Sequence, residues 1–494
     1  MDTSLVQTPV LRTRKFRNSQ AAWKRLRAKL KPFEDQGKMQ YNTVLGAGGF
    51  GLVQKWTTNQ PKVQGRKPTV AIKTLVKPNH PNSVRSLMRE IYWMKRFQGC
   101  EHLIQLTDLP EMLVPFPSSD INNENCSQGI PIIVMEELGC GSLYKIMCRI
   151  GDIKALNSTL TDEHIDDRVM EYIPNRILWG IFLCLVRGLI GIAYPPDDGL
   201  PETRKGQINR ETMRGIPEDQ EPARIVHSDI DVYNTFVAYA PDEETREDRE
   251  HRWHPVVKIA DYGCMLRWDN DWHYEVRKKS LWGKSRYKAP EQFDPDGNLG
   301  AHTNIYQIGN IMHDLITLQL IPNEFRSYAK RKISAGGSSE SFMTFGWRLL
   351  ESSSYKILTD WKNVDISLRV IIAGCMAQEP MWRPKLQHLE NICTHRIQHL
   401  DEALRDLERG RPPRAPVFVP GDPKVDKLYE KRVPQGKVEP RELLEKFYNE
   451  YFVEEWEDVD KYANYWAKKT LETEKPDDDD EEPVLAGLSF GQLV

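Results

Sequence analysis

The sequence predicts an α+β chain in which a strand-rich stretch is followed by a much longer helical one. Two observations predict it. Between residues 41 and 136 the apolar residues cluster in short β-branched runs broken by glycine-rich and polar segments. After residue 140 helical spacing takes over, and one run, Ile177–Tyr194, is apolar almost throughout. Strands first and helices afterwards belong to the α+β class. The chain has 494 residues, of which 39% are hydrophobic, so it has room for two to four domains and is not disordered, collagen-like or coiled-coil throughout.

Residues 1–40 carry ten Lys/Arg against three Asp/Glu, and Ala21–Leu30 reads as a short amphipathic helix. This basic N-terminal extension fits an import signal, a transit peptide, a contact with an anionic surface or the acidic tail, or a solvated segment. Tyr41–Val44 and Gly51–Trp56 flank a glycine cluster like the arms of a hairpin, and Thr69–Leu75 is a third strand. Ser83–Phe97 places Val84, Leu87, Met88, Ile91 and Met94 at helical spacing. Leu103–Asp108 and Pro131–Glu136 read as two more strands around an inserted loop.

Ile177–Tyr194 has the length of a membrane span, but Arg187 lies inside it and its flanks lack a basic cluster. It is read as a buried core helix, and no membrane span is expected. Two polar insertions follow, near 195–224 and 241–251. A charged linker begins at about Gly410, and 439–471 reads as an amphipathic helix through Leu444, Tyr448, Phe452, Trp456 and Val459, with a protein partner as one use for its face. The chain closes on an acidic tail, Asp477–Glu482.

The net charge is −3, so the chain is not expected to bind nucleic acid. Eight cysteines without a CxxC pair are too sparse for a disulfide framework and suit reduced thiols. With no apolar leader, the expected location is intracellular, cytoplasmic or nuclear. Cys393, His395 and His399 form the only metal-like cluster by spacing, and a solvated helix face explains them better.

The chemistry gathers in five short motifs. Leu45–Val53 is a glycine-rich turn between strands, where missing side chains let backbone N–H groups approach phosphate oxygens. Alone it is a weak signal. Val70-Ala71-Ile72-Lys73 follows on a strand, and Glu90 lies 17 residues further on, placed to hold the lysine's direction. Then come His227-Ser228-Asp229-Ile230-Asp231-Val232-Tyr233-Asn234, Asp261-Tyr262-Gly263 and Ala289-Pro290-Glu291.

In order and local sequence these motifs resemble the protein-kinase family over roughly Tyr41–His395. The resemblance implies a bilobal fold, with a small β-rich N-lobe at 41–136 and a large helical C-lobe at 137–395, then a linker, helix and tail over 396–494. It implies ATP and Mg2+ as cofactors and a protein as substrate. Gly46, Gly48 and Gly51 match the loop over the phosphates, and Lys73 with Glu90 the phosphate-binding lysine and its partner. Asp229 matches the aspartate that takes the substrate proton, and Asn234 and Asp261 the magnesium ligands. Met135, Glu136 and Leu138 match the gatekeeper and hinge, and Val53, Ala71 and Phe236 the apolar walls around adenine. Glu291 and Arg383 match a structural ion pair.

The departures are as informative. Ser228 stands where many members have arginine, Tyr262 replaces phenylalanine, and Asn304 replaces a buried aspartate. Asp231 stands where serine/threonine kinases carry lysine, and Lys284 where they carry threonine. A swap of charge across one contact, Lys284 on Asp231, is the simplest physical account of the last two. The expected function is therefore an ATP- and magnesium-dependent protein kinase, serine/threonine in preference. The alternative is a pseudokinase acting as a nucleotide-binding scaffold.

Overall fold

Four antiparallel strands in sequential order form the first sheet: β1 (Met39–Ala47), β2 (Gly51–Thr58), β3 (Thr69–Leu75) and β4 (Ile132–Glu136). The computed structural model describes residues 14–47, 51–61, 67–107, 132–157, 170–196, 208–217, 219–240, 250–321, 331–334, 341–350, 364–414 and 438–453. Gly48, the inserted loop before Pro131, most of the second insertion, residues 454–471 and the acidic tail lie outside them. The described chain divides into two compact units. The first runs to Gln98 and takes in Ile104–Glu137; the second holds Gly99–Leu103 and the chain from Leu138.

In the first unit, period-two alternation sorts the sheet into faces. On β2, Leu52, Gln54, Trp56 and Thr58 are buried while the residues between them are half-exposed. Two helices belong to this unit, α1 (Arg14–Asp35) and α2 (Pro81–Arg96). The basic extension is thus not merely appended. Leu26 and Leu30 of α1 pack on Met39, Trp56, Val70, Ile72 and Ile132, while Ala22 packs on Leu52 and Val76. The spacing of four puts these three residues on one face. Two of its arginines are used locally: Arg25 donates to the Leu75 and Val76 carbonyls, and Arg27 bonds Glu34 and lies over the Tyr41 ring. Leu30→Ala should cost about 2–4 kcal/mol, read as a lower urea midpoint. A solvated extension would leave the midpoint unchanged.

The predicted strand Leu103–Asp108 is not a strand. Its described part makes only isolated bridges, Leu103 with Ile259 and Leu106 with Met135. Gln105 and Thr107 exchange two backbone hydrogen bonds with β4, and Leu103 belongs to the second unit while residues 104–107 belong to the first.

The second unit is built around α4 (Asn175–Ala193), every residue of which is buried. It is the one described helix long and apolar enough to cross a membrane, yet it is wholly enclosed by protein. Arg187 is accommodated inside by Glu250, at 2.7 Å and 2.9 Å, by Glu390 at 2.9 Å and by the Glu211 carbonyl. Helices α6 (Ala301–Thr317) and α8 (Leu386–Glu408) pack on α4, α7 (Ile366–Cys375) packs on α6, and α3 (Leu143–Asn157) and α5 (Tyr274–Lys279) also belong to this unit. A small sheet pairs β5 (Gly141–Ser142), β7 (Thr235–Val237) and β8 (Val257–Ile259), while β6 (Ile225–Val226) pairs with β9 (Leu266–Arg267). Strands β10 (Arg331–Ser334) and β11 (Ser341–Thr344) form a separate ladder.

Of the amphipathic helix expected over 439–471, only the part to Val453 lies within the described residues. It runs over Arg441–Tyr448 (α9) and passes into a wider π-turn at Asn449–Val453. This part of its apolar face meets its own chain. Leu444, Phe447, Tyr448, Tyr451 and Phe452 are buried. Glu439 takes the backbone and side-chain N–H of Asn175 at 2.7 Å and 2.8 Å, and the Tyr451 hydroxyl donates to the Met170 carbonyl at 2.6 Å.

Candidate active site

In the first unit, register places the lysine. Lys73 lies opposite Val53 on one side and Ile133 on the other, and the alternation that buries Ile72 toward α1 turns Lys73 to the other face. Helix α2 buries Leu87, Ile91 and Met94, which fixes its rotation and brings Glu90 to the lysine. The Lys73 Nζ donates to both Glu90 oxygens, at 2.9 Å and 2.7 Å. Gly51 eases this arrangement: a Cβ there would stand 3.0 Å from Lys73 Cε, and the lysine side chain would have to shift slightly. Gly46 has nothing within 4 Å of its would-be Cβ, which leaves its backbone approachable. Ala71 is buried opposite Met135, and Glu136 is tied to Gln105 through its N–H and its carboxylate.

In the second unit, the loop between β6 and β7 is organised from within. Asp231, fully buried, accepts at Oδ1 from the Tyr233 and Asn234 N–H groups, both at 2.8 Å. Both hydrogens of the Asn234 amide go to Asp229, one to its carbonyl and one to Oδ2, each at 2.8 Å. That commitment leaves Asn234 Oδ1 as the atom available to a cation. Among the described residues, Asp229 Oδ1 has no hydrogen-bond partner although it is buried. Leu138 is buried and Phe236 half-buried in this unit.

The charge swap is present. Lys284 Nζ donates to Asp231 Oδ2 and lies 3.6 Å from Asp229 Oδ2. Burial works against this ammonium, but Asp229 and Asp231 outweigh it and hold its pKa above the ordinary lysine range. Burial also raises the Asp229 carboxyl, the Lys284 charge pulls it back down, and Asp231 and Asp261 add to the rise. Two carboxylates thus share one cation.

Gly283 brings Lys284 there. Its φ is +110°, and a Cβ on it would fall 2.0 Å from the Ser228 carbonyl oxygen. Ser228 itself, at φ +68°, carries left-handed strain directly before Asp229. Sequence reasoning passed over Gly283; a glycine beside the swapped lysine was the available signal. Gly283→Ala should destabilise by more than about 1 kcal/mol and move Lys284 off Asp231. A urea midpoint equal to that of the unchanged protein would contradict the close approach.

The other departures find local compensation. Asn304 Oδ1 accepts from the His227 N–H at 3.1 Å, as aspartate would, and its Nδ2 donates to the Ile225 carbonyl at 2.9 Å, which aspartate does not do. The Tyr262 hydroxyl donates to the Ile259 carbonyl at 2.9 Å. His227 meets the Ala260 carbonyl through Nε2 at 3.1 Å, and burial pushes its ring down to about 4, so it is neutral. Asp261 stands at φ +65°, directly before the turn that Tyr262 anchors. Arg383 grips Glu291 through two bonds of 2.7 Å and 2.8 Å and also reaches the His302, Ala377 and Gln378 carbonyls. Cys393 is buried in α8 while His395 on the same helix is exposed, so the spacing-based cluster does not converge.

A sequence profile of the family described as protein tyrosine and serine/threonine kinase matches residues 39–392. No curated protein matches the chain.

Proposed function

The chain belongs to the protein tyrosine and serine/threonine kinase family, and from that premise we propose that it is an active kinase, dependent on ATP and magnesium, that phosphorylates serine or threonine hydroxyls of proteins. The observation that carries this reading is the convergence of Asn234 and Lys284 on Asp229 Oδ2, which leaves the buried Asp229 Oδ1 without a donor among the described residues. A buried acceptor without a donor is costly, and a substrate hydroxyl is the donor that would satisfy it. Asp229 Oδ1 would then hold the hydroxyl and take its proton, while Oδ2 stays oriented by Asn234.

The residues present fit the cofactors. Asn234 Oδ1 and the Asp261 carboxylate are hard oxygen donors of the kind magnesium takes. Lys73, aimed by Glu90, would bind the phosphates, and Gly46 and Gly51 keep side chains out of their way. When bound, ATP supplies the phosphoryl group and magnesium neutralises charge on it. The preference for serine or threonine rests on Lys284, which puts an ammonium beside the catalytic aspartate. A pseudokinase would have no reason to refill a lost lysine from another segment.

The test is transfer of labelled phosphate from ATP by the full chain with magnesium, beside Asp261→Asn. Transfer by the unchanged protein that the variant lacks supports the reading. Equal signals in both would mean a contaminating activity and a scaffold.

A further inference from the structure

Away from Asp229, the second unit buries a second group of chemically capable side chains. His102 lies in the short segment after α2, Cys184 midway along α4, and His251 at the end of the insertion that precedes β8. All three are buried, and their ligand atoms lie within 4.8 Å of one another. Cys184 Sγ stands 3.8 Å from His251 Nδ1. Nitrogen and sulfur on one tetrahedral zinc ion are about 3.5 Å apart, given bonds of about 2.0 Å and 2.3 Å. Closing the triangle therefore needs shifts of about 1 Å, within rotamer reach.

His102 supplies the independent sign of a ligand. It is fully buried, its Nε2 has no hydrogen-bond partner among the described residues, and its Nδ1 meets Glu211 Oε2 at 2.6 Å. Glu211 is anchored in turn, because its Oε1 accepts the His102 backbone N–H at 3.0 Å. A carboxylate on one ring nitrogen with the other left bare is the arrangement that orients metal-bound imidazoles. His254 adds a donor beside the site. Its ring centroid lies 5.3 Å from that of His251, its Nδ1 meets the Pro255 carbonyl at 2.8 Å, and its Nε2 has no hydrogen-bond partner among the described residues.

Charge agrees with this. A divalent cation that displaces the Cys184 and Glu211 protons would be balanced by one thiolate and one carboxylate.

We propose that His102, Cys184 and His251 form a structural site for a borderline-soft divalent cation of the zinc class, with Glu211 orienting His102. The site joins the segment after α2, the core helix and both insertions at one point, and takes no part in phosphotransfer.

The experiment is metal analysis of the untagged full chain equilibrated with zinc chloride and dialysed, then with cobalt(II) in place of zinc. About one zinc per chain is expected, and the cobalt form should show a thiolate-to-cobalt charge-transfer band. Cys184→Ala, which keeps the helix, should lose the band and the tightly held metal. In the unchanged protein a chelator should lower the melting temperature, and added zinc should restore it. No retained zinc and no band, or equal zinc in Cys184→Ala, would overturn the proposal and leave a metal-free thiol–imidazole contact. None of these readouts depends on kinase activity.

Discussion

Asp229→Asn is expected to cut turnover by about 100- to 10,000-fold while ATP affinity hardly changes. The geometry explains both halves. The new amide can keep its oxygen on Asn234 Nδ2, where Asp229 now accepts at 2.8 Å, so the loop is retained. Its NH2 group then occupies the place of the orphaned Oδ1, and a donor there cannot take a proton from a hydroxyl. Asp261→Asn should lose turnover together with magnesium-dependent nucleotide affinity, and Lys73→Met should lose phosphate contacts. Turnover is measured with saturating ATP and affinity by nucleotide titration. Full turnover in Asp229→Asn would remove the base from its assigned role.

The second large effect belongs to the swapped pair. Lys284→Met should lower turnover and destabilise the protein by about 2–3 kcal/mol, because it leaves the buried Asp231 carboxylate uncompensated. The figure is set below that for a fully buried pair because the lysine side chain is 44% exposed. Asp231→Asn is the better partner change than Asp231→Lys, since it keeps the oxygen that caps Tyr233 and Asn234. The double variant should be less impaired in stability than the sum of the two single ones.

A pH profile separates a catalytic role from a structural one. The ammonium favours the ionised form of Asp229, and the base works only when ionised. Without Lys284 the carboxyl titrates higher, so the acid limb of turnover should move to higher pH by about one unit or more. Additive losses with an unmoved acid limb would reduce Lys284 to an ordinary loop lysine.

Local chemistry was legible before any coordinates. The glycine turn, Lys73 with Glu90, the Asp229–Asn234 loop and the Glu291–Arg383 pair each announce themselves by residue type and order. Even the Lys284–Asp231 contact was readable, because two departures at positions known to meet pointed to each other. The hidden parts depend on distance along the chain. His102, Cys184 and His251 come from three elements with no mutual spacing, whereas Cys393, His395 and His399 had spacing, but Cys393 is buried under α8 while His395 faces solvent. Charge also misled: the basic face of α1 stood out, while Ala22, Leu26 and Leu30, which settle its place on the sheet, are too ordinary to notice. For 439–471 the amphipathic pattern was right for the described part, but a pattern does not say whose surface completes it.

The docked residues 438–453 have a consequence for how the protein is made. Translation reaches Glu439 and Tyr451 long after α4 has left the ribosome, so Asn175 and the Met170 carbonyl wait for partners encoded some 260–280 residues downstream. Until then an apolar surface that Phe447, Tyr448 and Phe452 will cover stays open to chaperones and proteases. A premature stop just beyond the catalytic motifs would therefore produce a chain with every reactive residue in place that quality control removes. An expression fragment trimmed to residues 39–392 would meet the same fate from both ends, having lost α1 as well.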